Sequence, residues 1–314
     1  MFAGIDIGGT NIKGILTDKS GKEYSFREIS TPKTADEIDD AICTLIENLA
    51  TSASVSKIDI LGIGLGSPGT IDKSKGEIIL SPNIPSWKNH PLTKNIQKKT
   101  GIQCVLENDA TSALVGGWWK GNGSKFKHWI MITLGTGIGG GAILDNKIYS
   151  GRNGGALEIG HATIDLNGHE CACGNRGCFE KYASATALVD LTERYLKKFK
   201  SSSINERIKN ERLTSLLVYE EALKKDELAK KVFDEVSFYL GIGIANIINI
   251  FNPEAIIIGG GLSQAFNLML PVIQKTIDER ALAGLRENVK ILQSKDYLKM
   301  PSLGAAKIAM ESLK

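Results

Sequence analysis

Hydrophobic positions alternate, or run unbroken, over 2–7, 11–18, 22–30, 58–65 and 103–107, while a period of three to four residues occupies 35–50, 90–100 and 109–119. The first set predicts strands and the second helices, and their interleaving predicts an α/β architecture. Strand patterns return at 128–134, 139–145 and 255–259, but a helical run from 181 to 250 precedes the last of them. The chain reads as two related, unequal domains. A smaller one is expected over 1–118 and a larger one over 119–301, with a C-terminal helix at about 302–314 packing back on the first. The stretches Gly116–Ser124 and Met300–Gly304 predict linkers able to act as hinges. Ser201, Ser202 and Ser203 signal only a short loop, and low-complexity sequence is absent.

One segment nearly repeats. Ile5-Asp6-Ile7-Gly8-Gly9-Thr10-Asn11-Ile12-Lys13-Gly14 is similar to Ile132-Thr133-Leu134-Gly135-Thr136-Gly137-Ile138-Gly139-Gly140-Gly141, and each reads as strand, glycine turn, strand. Glycine permits positive φ and exposes bare backbone, so amide groups can converge on an anion. One such hairpin in each half suggests a phosphate chain clamped between two domains. Any single hairpin of this kind is equally a plain tight turn.

Composition narrows the function classes. At 314 residues and 42% hydrophobic content, the chain can bury two cores. The net charge is +3, and lysines such as Lys94, Lys98 and Lys99 are spread along helices, which argues against a nucleic-acid partner. No stretch reaches the roughly 18 apolar residues of a membrane span, and Met1-Phe2-Ala3-Gly4-Ile5-Asp6 does not read as a signal peptide, so a cytoplasmic protein with no membrane partner is expected. Cys43 and Cys104 fall in a predicted helix and strand and read as small core residues.

Cys171-x-Cys173-x-x-x-x-Cys178 gathers three soft ligands in one loop, with Gly174 and Gly177 giving the backbone freedom to wrap an ion. Zinc suits these ligands. A disulfide is disfavoured in a reducing compartment, and no base is evident that would make a reactive thiol. On spacing, the fourth ligand is open between His161 and His169. Three thiolates and an imidazole would fill a tetrahedron, so the zinc reads as structural rather than catalytic.

Two familiar nucleotide motifs are excluded. Gly135-x-Gly137-x-x-Gly140 formally matches the dinucleotide fingerprint but runs on into a strand, and no Gly-x-x-x-x-Gly-Lys-Ser/Thr run exists. What remains is Asp6-x-Gly8-x-Thr10, Leu134-Gly135-Thr136-Gly137, and Gly259-Gly260-Gly261 after the strand Ala255-Ile256-Ile257-Ile258. Glu107-Asn108-Asp109 ends one predicted strand and opens the helix at 109–119. Either Asn108 or Asp109 can simply cap that helix, and Asp109 can equally serve as a proton acceptor.

In this order the glycine turns resemble the nucleotide site of the actin, hexokinase and Hsp70 superfamily. Gly4 to Thr10, Gly64 to Gly69, Ser81-Pro82-Asn83, Glu107 to Asp109, Gly135 to Gly139, Glu158-Ile159-Gly160-His161 and Cys171 to Glu180 resemble the ROK family of repressors, open reading frames and kinases over essentially the whole chain. The resemblance implies a two-domain actin-like (ribonuclease H-like) α/β fold with a cleft between the domains. It implies that Asp6, Gly8, Gly9, Thr10, Asn11, Lys13, Gly135, Thr136, Gly137, Gly259, Gly260 and Gly261 serve ATP and Mg²⁺, with Asp6 on the metal-bound phosphates. It implies Asp109 as catalytic base, and Gly69, Asn108, Asp109, Glu158, His161 and Glu180 on the sugar. It favours His161 over His169 as the fourth zinc ligand, and it implies a homodimer. Pro85-Ser86-Trp87 departs from the Pro-Gly-Trp of many members.

The expected activity is ATP-dependent phosphorylation of a hexose hydroxyl, glucose to glucose 6-phosphate first. N-acetylmannosamine, N-acetylglucosamine, fructose and allose are the open alternatives. A sugar-sensing transcription repressor is disfavoured, because five residues before Asp6 leave no room for a DNA-binding domain ahead of it. An Hsp70-like or actin-like ATPase offers no reason for the cysteine loop.

Overall fold

The computed structural model describes residues 1–81, 84–152 and 155–313. Pro82 and Asn83, part of one motif above, lie outside the described residues. The chain forms two compact units, Met1–Lys125 with Ser294–Lys314, and Phe126–Gln293, so the divisions fall at 125/126 and 293/294 rather than at 118/119 and 301/302.

The first unit opens with β1 (Phe2–Ile7), β2 (Asn11–Thr17), β3 (Glu23–Ser30) and α1 (Ala35–Ser52). There follow β4 (Gly62–Ser67), β5 (Thr70–Asp72), β6 (Glu77–Leu80), β7 (Lys88–His90), α2 (Leu92–Thr100), β8 (Cys104–Asn108) and α3 (Asp109–Trp119). The main sheet has the order β3-β2-β1-β4-β8, with β1, β4 and β8 parallel and β1–β2–β3 an antiparallel meander. α1 begins with a capping box in which Thr34 accepts from the Glu37 N–H and Glu37 accepts from the Thr34 N–H. Its apolar stripe Ile38, Ile42, Leu45 and Leu49 is fully buried beside β1, β2 and β4 residues in one core.

The second unit contains β9 (Trp129–Leu134), β10 (Ile138–Leu144), β11 (Lys147–Ile148), α4 (Glu180–Ala183), α5 (Ala185–Leu196), α6 (Ile204–Arg207), α7 (Ser215–Leu223) and α8 (Glu227–Phe251). β12 (Ala255–Gly259), α9 (Phe266–Arg280), α10 (Ala283–Arg286) and β13 (Lys290–Gln293) complete it. Its sheet order, β11-β10-β9-β12-β13, repeats the first sheet strand for strand, with the same hairpin followed by the same parallel pairings. The near-repeat in sequence thus marks the first hairpin of each sheet.

Helix α11 (Met300–Ser312) returns to the first unit and lies against β1, β4 and α3. The approach leaves no room for side chains. A Cβ on Gly64 would stand 1.8 Å from the Ala305 carbonyl oxygen, and one on Gly304 would stand 1.7 Å from that of Ser112. Gly116 and Gly304, expected as hinge glycines, are therefore close-packing positions inside α3 and α11, and the α3 residues Gly116 and Gly117 are buried. Gly64→Val is expected to destabilise the protein by about 3 kcal/mol or more, since the methyls can be housed only by moving backbone. Urea unfolding measures it.

Three further expectations are corrected. The strand drawn over 58–65 starts at Gly62, because Lys57–Asp59 forms a 3₁₀ turn. The helix drawn from 90 starts at Leu92, because His90 belongs to β7 and Pro91 caps the helix. The run over 181–250 is five helices, α4 to α8, interrupted by capped loops at Ser184, Thr214 and Asp226.

Candidate functional site

In the first unit the candidate residues stand at one edge. Asp6 pairs with Gly66 across β1–β4, and Ser67 with Asn108 across β4–β8. The ends of β1, β4 and β8 thus carry Asp6, Gly69 and Asn108-Asp109 to the carboxyl edge of the parallel strands, where open α/β sheets bind ligands.

On the β1–β2 hairpin Asp6 faces Lys13, and the partly exposed Asn11 and Lys13 flank the fully buried Ile12. The Gly8 N–H donates to the Asn11 carbonyl at 2.9 Å. Thr31 braces the turn, its N–H donating to the Thr10 carbonyl at 2.8 Å and its hydroxyl to the Gly8 carbonyl at 2.6 Å. The positive φ expected of these glycines is absent from Gly8, Gly9, Gly135 and Gly137. Bare backbone is what Gly8 supplies, since a Cβ there would meet the Asn11 carbonyl oxygen at 2.9 Å.

Burial pushes the Asp6 carboxyl up to about 7, against the pull of the Lys13 ammonium and with a smaller push from the Asp109 carboxylate. Unfolded, the same group releases its proton near 3.8. Between those values the folded chain holds more protons, so this group's contribution to stability falls as pH rises from about 4 to about 7. Asp6→Asn removes that slope. Without nucleotide or divalent cation, the variant is expected to gain about 1–3 kcal/mol on the parent between pH 5 and pH 8. Urea unfolding at both pH values reads it, and parallel curves would refute the assignment.

Asn108 caps α3, its Oδ1 accepting from the N–H groups of Ala110 at 2.9 Å and Thr111 at 3.2 Å, which leaves its Nδ2 donors for a ligand. Asp109 is the first helical residue, and its Oδ1 accepts from the Ala110 N–H at 2.8 Å. In its carboxylate form this side chain can accept a proton. Glu107 Oε1 accepts from the Asn108 N–H at 2.9 Å and pairs with Lys73 Nζ at 2.5 Å. Gly69 has φ +94°, and a Cβ there would lie 2.3 Å from the Leu80 carbonyl oxygen, so the turn after β4 requires glycine. Trp87, in the run that departs from the family pattern, is fully buried and stacks on His90 with ring centroids 5.6 Å apart.

In the second unit Gly259 pairs with Thr133, so the turns ending β9 and β12 share an edge. Gly260, at φ +84°, would place a Cβ 2.4 Å from the Leu134 carbonyl oxygen. Glu158 precedes and His161 ends the 3₁₀ turn Ile159–His161 seated on β10, where a Cβ on Gly160 would meet the Ile138 carbonyl oxygen at 2.2 Å. Leu157, at φ +67°, holds a strained backbone immediately before Glu158.

His161, Cys171, Cys173 and Cys178 bring their ligand atoms within 4.8 Å of one another. Cys173 Sγ lies 3.7 Å from Cys178 Sγ, and Cys171 Sγ lies 3.8 Å from His161 Nδ1. A tetrahedron with bonds of about 2.3 Å to sulfur has edges of about 3.8 Å, so the donor set fits zinc in both chemistry and spacing. Nδ1 of His161 faces the thiols, leaving Nε2 for another partner. Glu180 Oε1 stands 3.7 Å from the same Nδ1 and 3.3 Å from Cys171 Sγ. His169 lies elsewhere, its Nε2 3.2 Å from an Arg194 guanidinium nitrogen and its ring against Tyr182.

Lys73 and Thr31 escaped the sequence reading. Lys73 acts on the Glu107 carboxylate and Thr31 on the Gly8 and Thr10 carbonyls, each far from it in the chain, and neither sits in a recognisable motif.

A model of the ROK family matches residues 2–312. A glucokinase of Halalkalibacterium halodurans is 37% identical over 92% of this chain and 88% of its own. The xylose repressor of Caldicellulosiruptor bescii is 34% identical over 93% of this chain and 73% of its own. The crystal structure of a ROK family glucokinase from Streptomyces griseus, in complex with glucose and AMPPNP, superposes with a TM-score of 0.89 at 32% identity, covering 99% of each chain. No helix among the described residues is long and apolar enough to cross a membrane.

Proposed function

The chain belongs to the ROK family, and from that premise we propose that it is an ATP-dependent hexose kinase with glucose as its favoured acceptor. The observation that carries this reading is the likeness in fold, over 99% of each chain, to a kinase holding glucose and an ATP analogue. Beside it stands a carboxylate, Asp109, at a helix N-terminus and strand end.

In this reading the sugar hydroxyl attacks the γ-phosphorus. The O–P bond forms as the bridge to the β-phosphate breaks, ADP leaves, and Asp109 takes the hydroxyl proton. Asn108 Nδ2, Glu158, Glu180 and His161 Nε2 hold the sugar hydroxyls, and Gly69 gives its turn the shape to receive the ring. Asp6 would hold Mg²⁺ directly or through water, and the ion, when bound with ATP, offsets the phosphate charge. Asn11, Lys13 and the backbone of Gly8–Thr10 serve the phosphates. Gly135–Gly137 serve the terminal phosphate region, and Gly259–Gly261 the adenosine. Zinc on His161, Cys171, Cys173 and Cys178 would be structural. A cytoplasmic homodimer and a place in glycolysis belong to the same reading.

Acceptor choice is tested by kcat/KM over glucose, fructose, allose, N-acetylglucosamine and N-acetylmannosamine, with glucose expected highest. A higher value on an N-acetylhexosamine would replace the acceptor and leave the kinase standing. The likeness to a xylose repressor supports a second reading, sugar-responsive DNA binding. Specific, sugar-dependent retention of DNA at physiological salt would favour it.

A further inference from the structure

The turn assigned to the terminal phosphate does not hold its own shape. Internally it has one bond, from the Gly135 N–H to the Gly137 carbonyl at 3.0 Å. Its two other carbonyls are held from outside by the start of α5. The Ala185 N–H donates to the Gly135 carbonyl at 2.9 Å, and the Thr186 hydroxyl donates to the Thr136 carbonyl at 2.7 Å.

A trans peptide is planar, with its carbonyl and the next N–H pointing in opposite directions. Pinning the carbonyls of Gly135 and Thr136 toward α5 therefore turns the N–H groups of Thr136 and Gly137 away from it, as a pair of anion donors. The same segment runs back to the cysteine loop. Glu180 opens α4 two residues after Cys178, the Ser184 N–H donates to the Glu180 carbonyl at 3.3 Å, and Ser184 caps α5. Glu180 also lies over the turn, since a Cβ on Gly137 would stand 2.5 Å from its Oε2.

We propose that Thr186 is a positioning residue for nucleotide binding, and that α4 couples the cysteine loop to the phosphate turn as well as to the sugar. The nucleotide part rests on the kinase reading; the positioning of the turn does not. Thr186→Val keeps the side chain's shape and deletes one donor, leaving the Thr136 carbonyl without it. The expected losses are a fall in Mg·ADP affinity of about 5–30-fold, the equivalent of roughly 1–2 kcal/mol, and faster hydrogen exchange at the Gly135 and Ala185 amides. Zinc content and glucose affinity should stay unchanged, and Thr186→Ser should restore both losses.

Unchanged exchange at Gly135 and Ala185 would overturn the positioning role even where the parent binds nucleotide well. Equal losses of glucose and nucleotide affinity would overturn it as well, by showing general damage. A turn that loosens in a chain whose parent never binds nucleotide would instead bring down the kinase reading and the nucleotide role together. In the parent, chelation of the metal should speed exchange at the same two amides, and no change there would overturn the coupling through α4.

Discussion

Asp109→Asn is expected to bind sugar within a few-fold of the parent while its turnover falls on the order of 10²- to 10⁴-fold, the usual worth of a general base. Asparagine matches the carboxylate in shape and can still accept from the Ala110 N–H that Asp109 Oδ1 now engages. It cannot take a proton from the attacking hydroxyl. The scaffold should survive the change, because the α3 N-cap is Asn108 and the helix is pressed on α11 through Gly116 and Gly304. Sugar affinity by calorimetry and kcat by ADP release separate the two effects. Turnover within tenfold of the parent would remove Asp109 from the chemistry.

Cys178→Ala should cost the protein its metal and most of its sugar affinity. Cys178 is fully buried, its Sγ lies 3.7 Å from that of Cys173, and its thiol is raised by burial, so a cation is what would favour its ionised form there. Without zinc His161 Nδ1 would keep only the looser Glu180 Oε1 neighbour at 3.7 Å, and the ring proposed to present Nε2 to the sugar would be freer to turn. Zinc bound per chain should fall from about one to about zero, with sugar affinity down roughly 10–100-fold. His169→Ala serves as the contrast and should keep both. Full zinc content in Cys178→Ala, or its loss in His169→Ala, would reverse the choice between the histidines.

Much of this arrangement was legible in the chain because it is local. The two hairpins announce themselves by strand, glycine and strand, and their likeness foretold two related halves, though not that their sheets share one topology. The cysteine spacing gathered three candidate ligands in one loop, where the structure adds His161 beside them, and Asn108-Asp109 declared a strand end meeting a helix start. What stayed hidden depends on partners distant in sequence. Gly116 and Gly304 look like linker residues until α11 is seen against α3, where only a missing side chain permits the contact. The small sheet of β5, β6 and β7 was missed because its strands are three or four residues long, too short for a period to show. The grip of Thr186 on Thr136 spans 50 residues, and nothing at either position signals the other.

The central claim is phosphoryl transfer from ATP to a sugar, and ADP release measured with and without hexose, on protein of known zinc content, tests it most directly. ADP should form only when a hexose is present, in a one-to-one ratio with sugar phosphate, and fastest with glucose. No turnover on any hexose, or ADP formed equally well without one, would contradict it.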